Sequence, residues 1–247
     1  MMNEMYTTLT GHRSIRSYTD EPVSEEQLRA IIEAVSTSPT SINGQQVTVI
    51  SVQEPETKSK VAELAGNQAW IVQAPVFLLF CADFQRAKVA AELHGQELVI
   101  TDAIESIVVG ATDVGIALGR AIAMAASLGL GTVPIGGARR DPLALIELLG
   151  LPQYVFPVSG LVVGHPAGPS ETKHRLPLEA IWHRERYDQE RLEGVIREYD
   201  EQVSAYMTKR TGGKESRSWS QTVAGVYNRI YYPEVRRMLE QQGFDFK

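Results

Sequence analysis

Four short segments carry residue types that bind anions or flat, polar ligands. The first, His12-Arg13-Ser14-Ile15-Arg16, sets two guanidinium groups, an imidazole and a hydroxyl within five residues. Arginine forks match phosphate oxygens in geometry and charge, although such a run also reads as a charged helix end making surface ion pairs. The second is Lys173-His174-Arg175, in a Pro- and Gly-rich loop that reads equally as solvated. The third, Pro134-Ile135-Gly136-Gly137, is a strand running into paired glycines. Those glycines either let a flat ligand approach backbone N–H groups or make a tight turn. The fourth is the loop 37–46, whose hydroxyls and amides line a polar pocket or cap a turn. Taken singly, none of the four decides between ligand and scaffold.

Other chemistries find no footing in the chain. It has no G-x-x-x-x-G-K-[ST] phosphate loop, no H-E-x-x-H and no G-x-S-x-G nucleophile elbow. Gly129-x-Gly131 meets Pro134 where a dinucleotide fingerprint needs its third glycine. His94, His165, His174 and His183 are scattered without metal-ligand spacing and read as solvated or hydrogen-bonded. A net charge of −6 argues against a nucleic-acid surface and leaves room for a local basic site. The single cysteine, Cys81, makes no internal disulfide and fits a reducing compartment, read here as the cytoplasm. Polar residues interrupt every apolar stretch before Leu28, so no signal-peptide core is expected. The uncharged stretch 121–138 contains Gly129, Gly131, Pro134, Gly136 and Gly137, and reads as helix, turn, strand and loop in place of a membrane span.

The elements that must position these segments follow from capping and periodicity. Ser24 with Gln27 makes a capping box, and Leu28, Ile31, Ile32 and Val35 follow on one helical face. That helix must stop in the Ser-, Thr- and Gly-rich run 36–46 that contains Pro39. Residues 47–52 read as a strand, 57–65 as a short helix, and 76–82 as an apolar strand buried on both faces. Residues 101–128 form a long helix, apolar around most of its circumference, which belongs in the middle of the molecule or at a subunit contact. A short strand is expected around 133–135. Asp141 as N-cap, Pro142 at the first helical position and Gly150 past the end delimit another helix, and 158–163 a further strand. From about Gln189 the chain is charged and helical, breaks at Thr211-Gly212-Gly213, and resumes from Ser218. Its aromatic residues Tyr199, Tyr206, Trp219 and Tyr227 suggest packing on the main body or on a partner subunit. The class is therefore mixed α and β without a regular βαβ series. We divide it into a core, 1–188, and a helical extension, 189–247.

Taken in order and spacing, the segments resemble the nitroreductase superfamily. The resemblance rests on G-H-R-S-I-R-S-Y-T-D-E-P at 11–22, A-G-N-Q at 65–68, F-C-A-D-F at 80–84 and S-L-G-L-G-T-V-P-I-G-G at 127–137. It continues in F-P-V-S-G-L-V-V-G-H-P at 156–166, K-H-R-L-P at 173–177 and Y-D-E-Q at 199–202, so it spans essentially the whole chain. Within that superfamily the pattern is most similar to oxygen-insensitive, A-type NAD(P)H nitroreductases and flavin reductases, the bacillar FMN reductases in particular.

The resemblance implies an α+β fold, a three-layer α/β/α sandwich around a mostly antiparallel sheet, in an intertwined homodimer with non-covalent FMN at the interface. It implies that His12, Arg13 and Ser14 hold the phosphate end, with Lys173 and Arg175 closing on it. Arg16 faces the N1/O2 edge of the flavin, Thr40 and Ser41 lie near it, and Gln68 meets its pyrimidine edge. Ile135 and the backbone of Gly136 and Gly137 approach N5, and Arg210 and Lys214 bind the NADPH phosphate. No residue serves as general acid or base; the implied activity is hydride transfer from NADPH or NADH to FMN. Ping-pong reduction of free flavin, nitroaromatic or quinone acceptors then follows, with no nucleic-acid or membrane partner. A non-catalytic flavin carrier, or a flavoenzyme of the same fold with other chemistry, is the alternative. Three positions depart from the pattern: Pro134 stands where relatives have tyrosine, Pro39 and Ile42 interrupt a run of serines, and Glu215 replaces a basic residue.

Overall fold

The computed structural model describes residues 3–246. By contacts the chain divides into two compact units, one reaching Glu171 and including the segment from Glu234, the other Thr172–Pro233.

In chain order the first unit comprises α1 (Glu4–Thr10), α2 (Glu25–Ser36), β1 (Val47–Val52), α3 (Pro55–Leu64), α4 (Ala69–Gln73), β2 (Val76–Asp83), α5 (Gln85–Leu93), α6 (Glu105–Ser127), β3 (Gly131–Ile135), α7 (Pro142–Leu149) and β4 (Val155–Gly164). The second unit contains α8 (Leu192–Arg210) and α9 (Trp219–Tyr227), and α10 (Val235–Gln241) returns to the first. The strands form one sheet in the order β1-β2-β4-β3, each neighbouring pair antiparallel.

Alternation along the central strand sorts its side chains into two layers. Val76, Leu78, Phe80 and Ala82 join a cluster with α2, α6 and α10, whereas Phe77, Leu79 and Cys81 join one with α3, α4 and α7. Every residue of β2 is buried, as a strand covered on both faces requires. The result is the expected three-layer α/β/α arrangement.

The local signals explain the boundaries. Ser24 and Gln27 form the reciprocal capping box of α2. Asp141 accepts from the Ala144 N–H, Pro142 opens α7, and Gly150 closes it in the left-handed conformation. The long helix starts at Glu105, later than the 101 expected, because residues 100–102 form a separate 3₁₀ turn. The uncharged stretch 121–138 divides into the end of α6, β3 and a 3₁₀ turn over Gly136–Arg139.

Helix α6 buries Ser106, Gly110, Asp113, Val114, Ala117, Ala121 and Ala125, one face at three- and four-residue spacing. It approaches the sheet so closely that a Cβ on Gly110 would lie 2.9 Å from Ala82 Cβ. By length and composition α6 passes for a membrane span, but this packing marks a helix laid on a sheet. Its opposite face, including Val108 and Ile116, is exposed.

In the second unit Asp200 on α8 ties down the start of α9, accepting from the Ser220 N–H at 2.8 Å and from the Ser220 hydroxyl. Burial raises the acid's pKa, but the summed hydrogen bonds from Ser220, Ser218 and the Trp219 N–H outweigh it and hold it below the ordinary value.

Candidate functional site

The edge strand β3 organises the candidate site. Its outer side is bridged in parallel by Ser14 at Thr132, and the Ile15 N–H donates to Thr132 O at 2.9 Å. Gly131 is required there, since a Cβ would lie 2.7–2.9 Å from three Ile15 side-chain carbons. The segment His12-Arg13-Ser14-Ile15-Arg16 therefore runs along β3, and a second bridge, Tyr18 to Pro166, holds its far end. Four residue steps along the chain lead from the Ser14 bridge at Thr132 to Gly136, about 13 Å at ~3.3 Å per residue.

At the Ser14 end, His12, Arg13, Gly131, Thr132 and Ser170 line a cleft of about 600 Å³. The Arg13 guanidinium donates to Ser170 O at 3.0 Å, which fixes the side chain across the cleft's rim.

At the Gly136 end the chain packs against the turn between α3 and α4. Gln68, the N-cap of α4, donates through Nε2 to Ala65 O at 2.9 Å. Gly137 lies against both groups: a Cβ there would overlap Ala65 O and stand 2.7 Å from Gln68 Nε2. Two residues beyond Gln68, the Trp70 ring faces the Arg16 guanidinium at 5.6 Å. The Trp70 Nε1–H is buried without a partner among the described residues, a group that native structures rarely leave unsatisfied. The Tyr18 hydroxyl donates to Ile15 O at 2.7 Å and closes the turn that projects Arg16. Ile135 is buried in the core beneath.

Thr40 and Ser41 are not drawn into this group. The Ser41 N–H donates to buried Asp113 on α6, at 3.3 and 3.2 Å to the two oxygens, and Thr40 Oγ1 accepts from the Gln45 N–H. Arg120 anchors the same loop through Ala34 O and Thr37 Oγ1, both at 2.8 Å. This loop thus belongs to the α2–α6 layer, whereas Gln68 caps, and Trp70 lies within, the helix whose Ile71 is buried in the other.

Lys173, Arg175, Arg210 and Lys214 lie in the second unit. Arg175 folds back onto its own loop, donating to the carbonyls of Lys173 and His174, both at 3.2 Å. The Tyr199 hydroxyl donates to His174 O at 2.8 Å and ties that loop to α8. Arg210 stacks on Tyr206 at 5.9 Å. The following turn is ordered: Thr211 Oγ1 accepts from the Glu215 N–H at 2.9 Å, and the Gly213 N–H donates to Thr208 O at 2.8 Å. Glu215 pairs with Arg217 at 3.4 Å.

Sequence reasoning missed Trp70, Asp113 and Arg120. Two charges inside an otherwise apolar helix were a readable signal for the latter pair. A single aromatic residue two positions after Gln68 has no periodicity to expose it.

The Nitroreductase family matches residues 9–165, and the Nitroreductase family C-terminal domain matches residues 173–247. The chain is 64% identical over 245 residues to the FMN reductase (NAD(P)H) of Bacillus subtilis strain 168, covering 98% of each. The solved structure of B. megaterium NfrA2 has a TM-score of 0.98 at 61% identity and covers all of both chains. That of the NADPH:FMN oxidoreductase from Vibrio harveyi complexed with NAD+ has a TM-score of 0.89 at 33% identity, covering 99% of this chain and all of that one.

Proposed function

Because the chain belongs to the nitroreductase family, we propose that it is an FMN-dependent NAD(P)H oxidoreductase reducing free flavin, nitroaromatic or quinone acceptors. The observation that carries this reading is the convergence of Arg16, Gln68, Trp70 and Gly137 at the end of β3. The residues present fit FMN. Hydroxyl, imidazole and guanidinium groups line one end, an amide and a second guanidinium the other, and Gly137 lets the end of β3 pack directly on the turn that carries the amide. When bound, FMN supplies hydride acceptance from NAD(P)H and two-electron reduction of a second substrate.

The chain's own residues bind and polarise. His12, Arg13 and Ser14 hold the phosphate, and the family motif adds Lys173 and Arg175. Gln68 orients the pyrimidine edge, while Ile135, Gly136 and Gly137 present backbone to the ring. Arg16, an exposed cation, stabilises negative charge at the N1/O2 edge, an electrostatic contribution that requires no proton transfer by a side chain. Arg210 and Lys214 attract the nucleotide's phosphates.

Two subunits complete the site. The exposed apolar face of α6 supports this reading, as does the placement of Thr40 and Ser41 on the α6 layer, away from Gln68 and Trp70. Sedimentation at low micromolar concentration should give one species near twice 27.3 kDa; a stable flavin-loaded monomer overturns the dimer. The buried lone thiol of Cys81 fits a reducing, cytoplasmic setting. The activity is tested on purified protein: it should be yellow, bleach with NADH or NADPH, and recover its colour with FMN, a quinone or a nitroaromatic. A yellow protein that neither nicotinamide bleaches is a flavin carrier.

A further inference from the structure

We propose that Trp70 is a positioning residue that seats Arg16 and thereby sets the reduction potential of the bound flavin. The inference rests on the reading above that Arg16 lies at the flavin's N1/O2 edge.

A fixed cation stabilises a charge that develops beside it only if the cation is already in place, since reorganisation consumes the gain. Arg16 is exposed, and among the described residues no hydrogen bond or ion pair holds its guanidinium. Its backbone is fixed on both sides, before it by the Ile15 N–H on Thr132 O at 2.9 Å and after it by the Ala167 N–H on Ser17 O at 3.0 Å. What restrains the end of the side chain is the Trp70 ring, 5.6 Å from the guanidinium carbon. Tryptophan is the strongest of the aromatic faces toward a cation, and a guanidinium stacked on it keeps its N–H edge available for hydrogen bonds.

The seat is itself held. Helix α4 has five residues, too few to be stable alone. Ile71 anchors it in the core, and the Lys58 ammonium, buried on α3, donates to Ala74 O at 2.6 Å and to Val72 O at 3.4 Å. Burial holds the Lys58 pKa below its ordinary value, as expected where the charge is taken from water into a cluster of carbonyls. Trp70 is therefore presented by a clamped element, and Gln68 is the N-cap of the same element.

The test separates positioning from packing by the ratio of the Kd values for oxidised and reduced FMN, measured by anaerobic titration. Packing that supports the pocket acts on both redox forms alike and leaves the ratio unchanged; seating Arg16 acts on the reduced form. Trp70→Leu should lower the preference for reduced FMN about three- to tenfold, which is ~14–30 mV at 29.6 mV per tenfold for a two-electron couple. Trp70→Phe keeps an aromatic face and should stay within about twofold, ~9 mV on the same scale. In an Arg16→Gln background, Trp70→Leu should have no further effect on the ratio. A Trp70→Leu ratio equal to wild type, with Arg16→Gln shifted, overturns the role of Trp70 alone. So does a fall in Trp70→Phe as large as in Trp70→Leu. An unchanged ratio in Arg16→Gln refutes the placement of Arg16 at the flavin, and this inference with it.

Discussion

Gly137→Ala is the substitution for which the structure allows the most direct reckoning. Nothing in the glycine's own backbone angles forbids alanine; the obstacle is what the methyl group meets. It would overlap Ala65 O, lie 3.1 Å from Ala65 C and stand 2.7 Å from Gln68 Nε2. The turn that carries them has little freedom. Gly66 and Asn67 both hold positive φ, at 96° and 58°, and the Asn67 N–H donates to Ala62 O at 2.7 Å. Ala62 and Ala65 are themselves buried. The methyl must therefore push β3's end and the α3–α4 turn apart, an overpacking that costs roughly 1–3 kcal/mol. Taking ~2 kcal/mol, the melting temperature of the flavin-free protein should fall by about 4–8 °C for a chain of this size. The shift also displaces Gln68 from Ala65 O, so FMN affinity should drop about thirtyfold if the same ~2 kcal/mol is lost on binding. Gly194→Ala is the matched control, because a Cβ on that helical glycine meets nothing within 4 Å. It should raise stability by up to ~1 kcal/mol and leave FMN binding alone. Thermal melts of stripped protein and fluorescence titration with FMN read both effects. A Gly137→Ala protein with unchanged melting temperature and an FMN Kd within twofold of wild type would refute the close approach on which the site is built.

Arg175→Ala should weaken FMN by roughly 1.5–3 kcal/mol, the range for a hydrogen bond to a charged group; full flavin retention after dialysis would exclude a phosphate role. Glu215→Arg removes a carboxylate and releases Arg217 from its 3.4 Å pair. It should therefore raise kcat/KM for NADPH several-fold, within the ~1 kcal/mol typical of exposed charges, with a gain that shrinks in salt. Steady-state kinetics with both nicotinamides decide this, and equal small effects on NADH and NADPH would mean that the loop does not read the 2′-phosphate. Asp200 has a folded-state pKa below its unfolded one, so its stabilisation is fully present above the ordinary carboxylate range and is lost as pH falls through the folded value. Asp200→Asn should accordingly destabilise at neutral pH and progressively less below about pH 4, as melts across that range will show. Ile116→Arg places a charge on the exposed face of α6 and should yield monomers by sedimentation; an intact dimer would move the interface elsewhere.

The elements legible in the sequence were those whose ends or faces obey strong local rules. Ser24, Asp141, Pro142 and Gly150 mark helix termini through hydrogen bonds that a few residues make among themselves, and the apolar run in β2 admits only a strand covered on both sides. Helices α1 and α5 left no such trace because neither contains a buried residue, and α4 is shorter than two turns. α10 rests on two buried side chains, Met238 and Leu239, and on Gln242, whose amide reaches the carbonyls of Pro152 and Val155 ninety residues earlier. In the site, the anion-seeking residues were visible by type. The groups that seat them were not: Trp70 meets Arg16, and Lys58 the Ala74 carbonyl, across separate segments of the chain, while the local bond from the Tyr18 hydroxyl to Ile15 O leaves no periodic pattern in the sequence.

The position of Pro134 has a bearing on how the protein associates. Thr132 turns its carbonyl outward to Ile15, so Pro134, two residues on, presents its backbone nitrogen to the same outer side of β3. A proline there breaks no ladder within the sheet. It does take away a donor that an incoming strand would need, and the bridge to Ser14 already occupies the stretch before it. The edge is thus closed to growth, which protects newly made chains from adding to one another strand by strand. Restoring an N–H at 134, as tyrosine would, reopens that edge, and such a variant should aggregate more readily on refolding at high concentration.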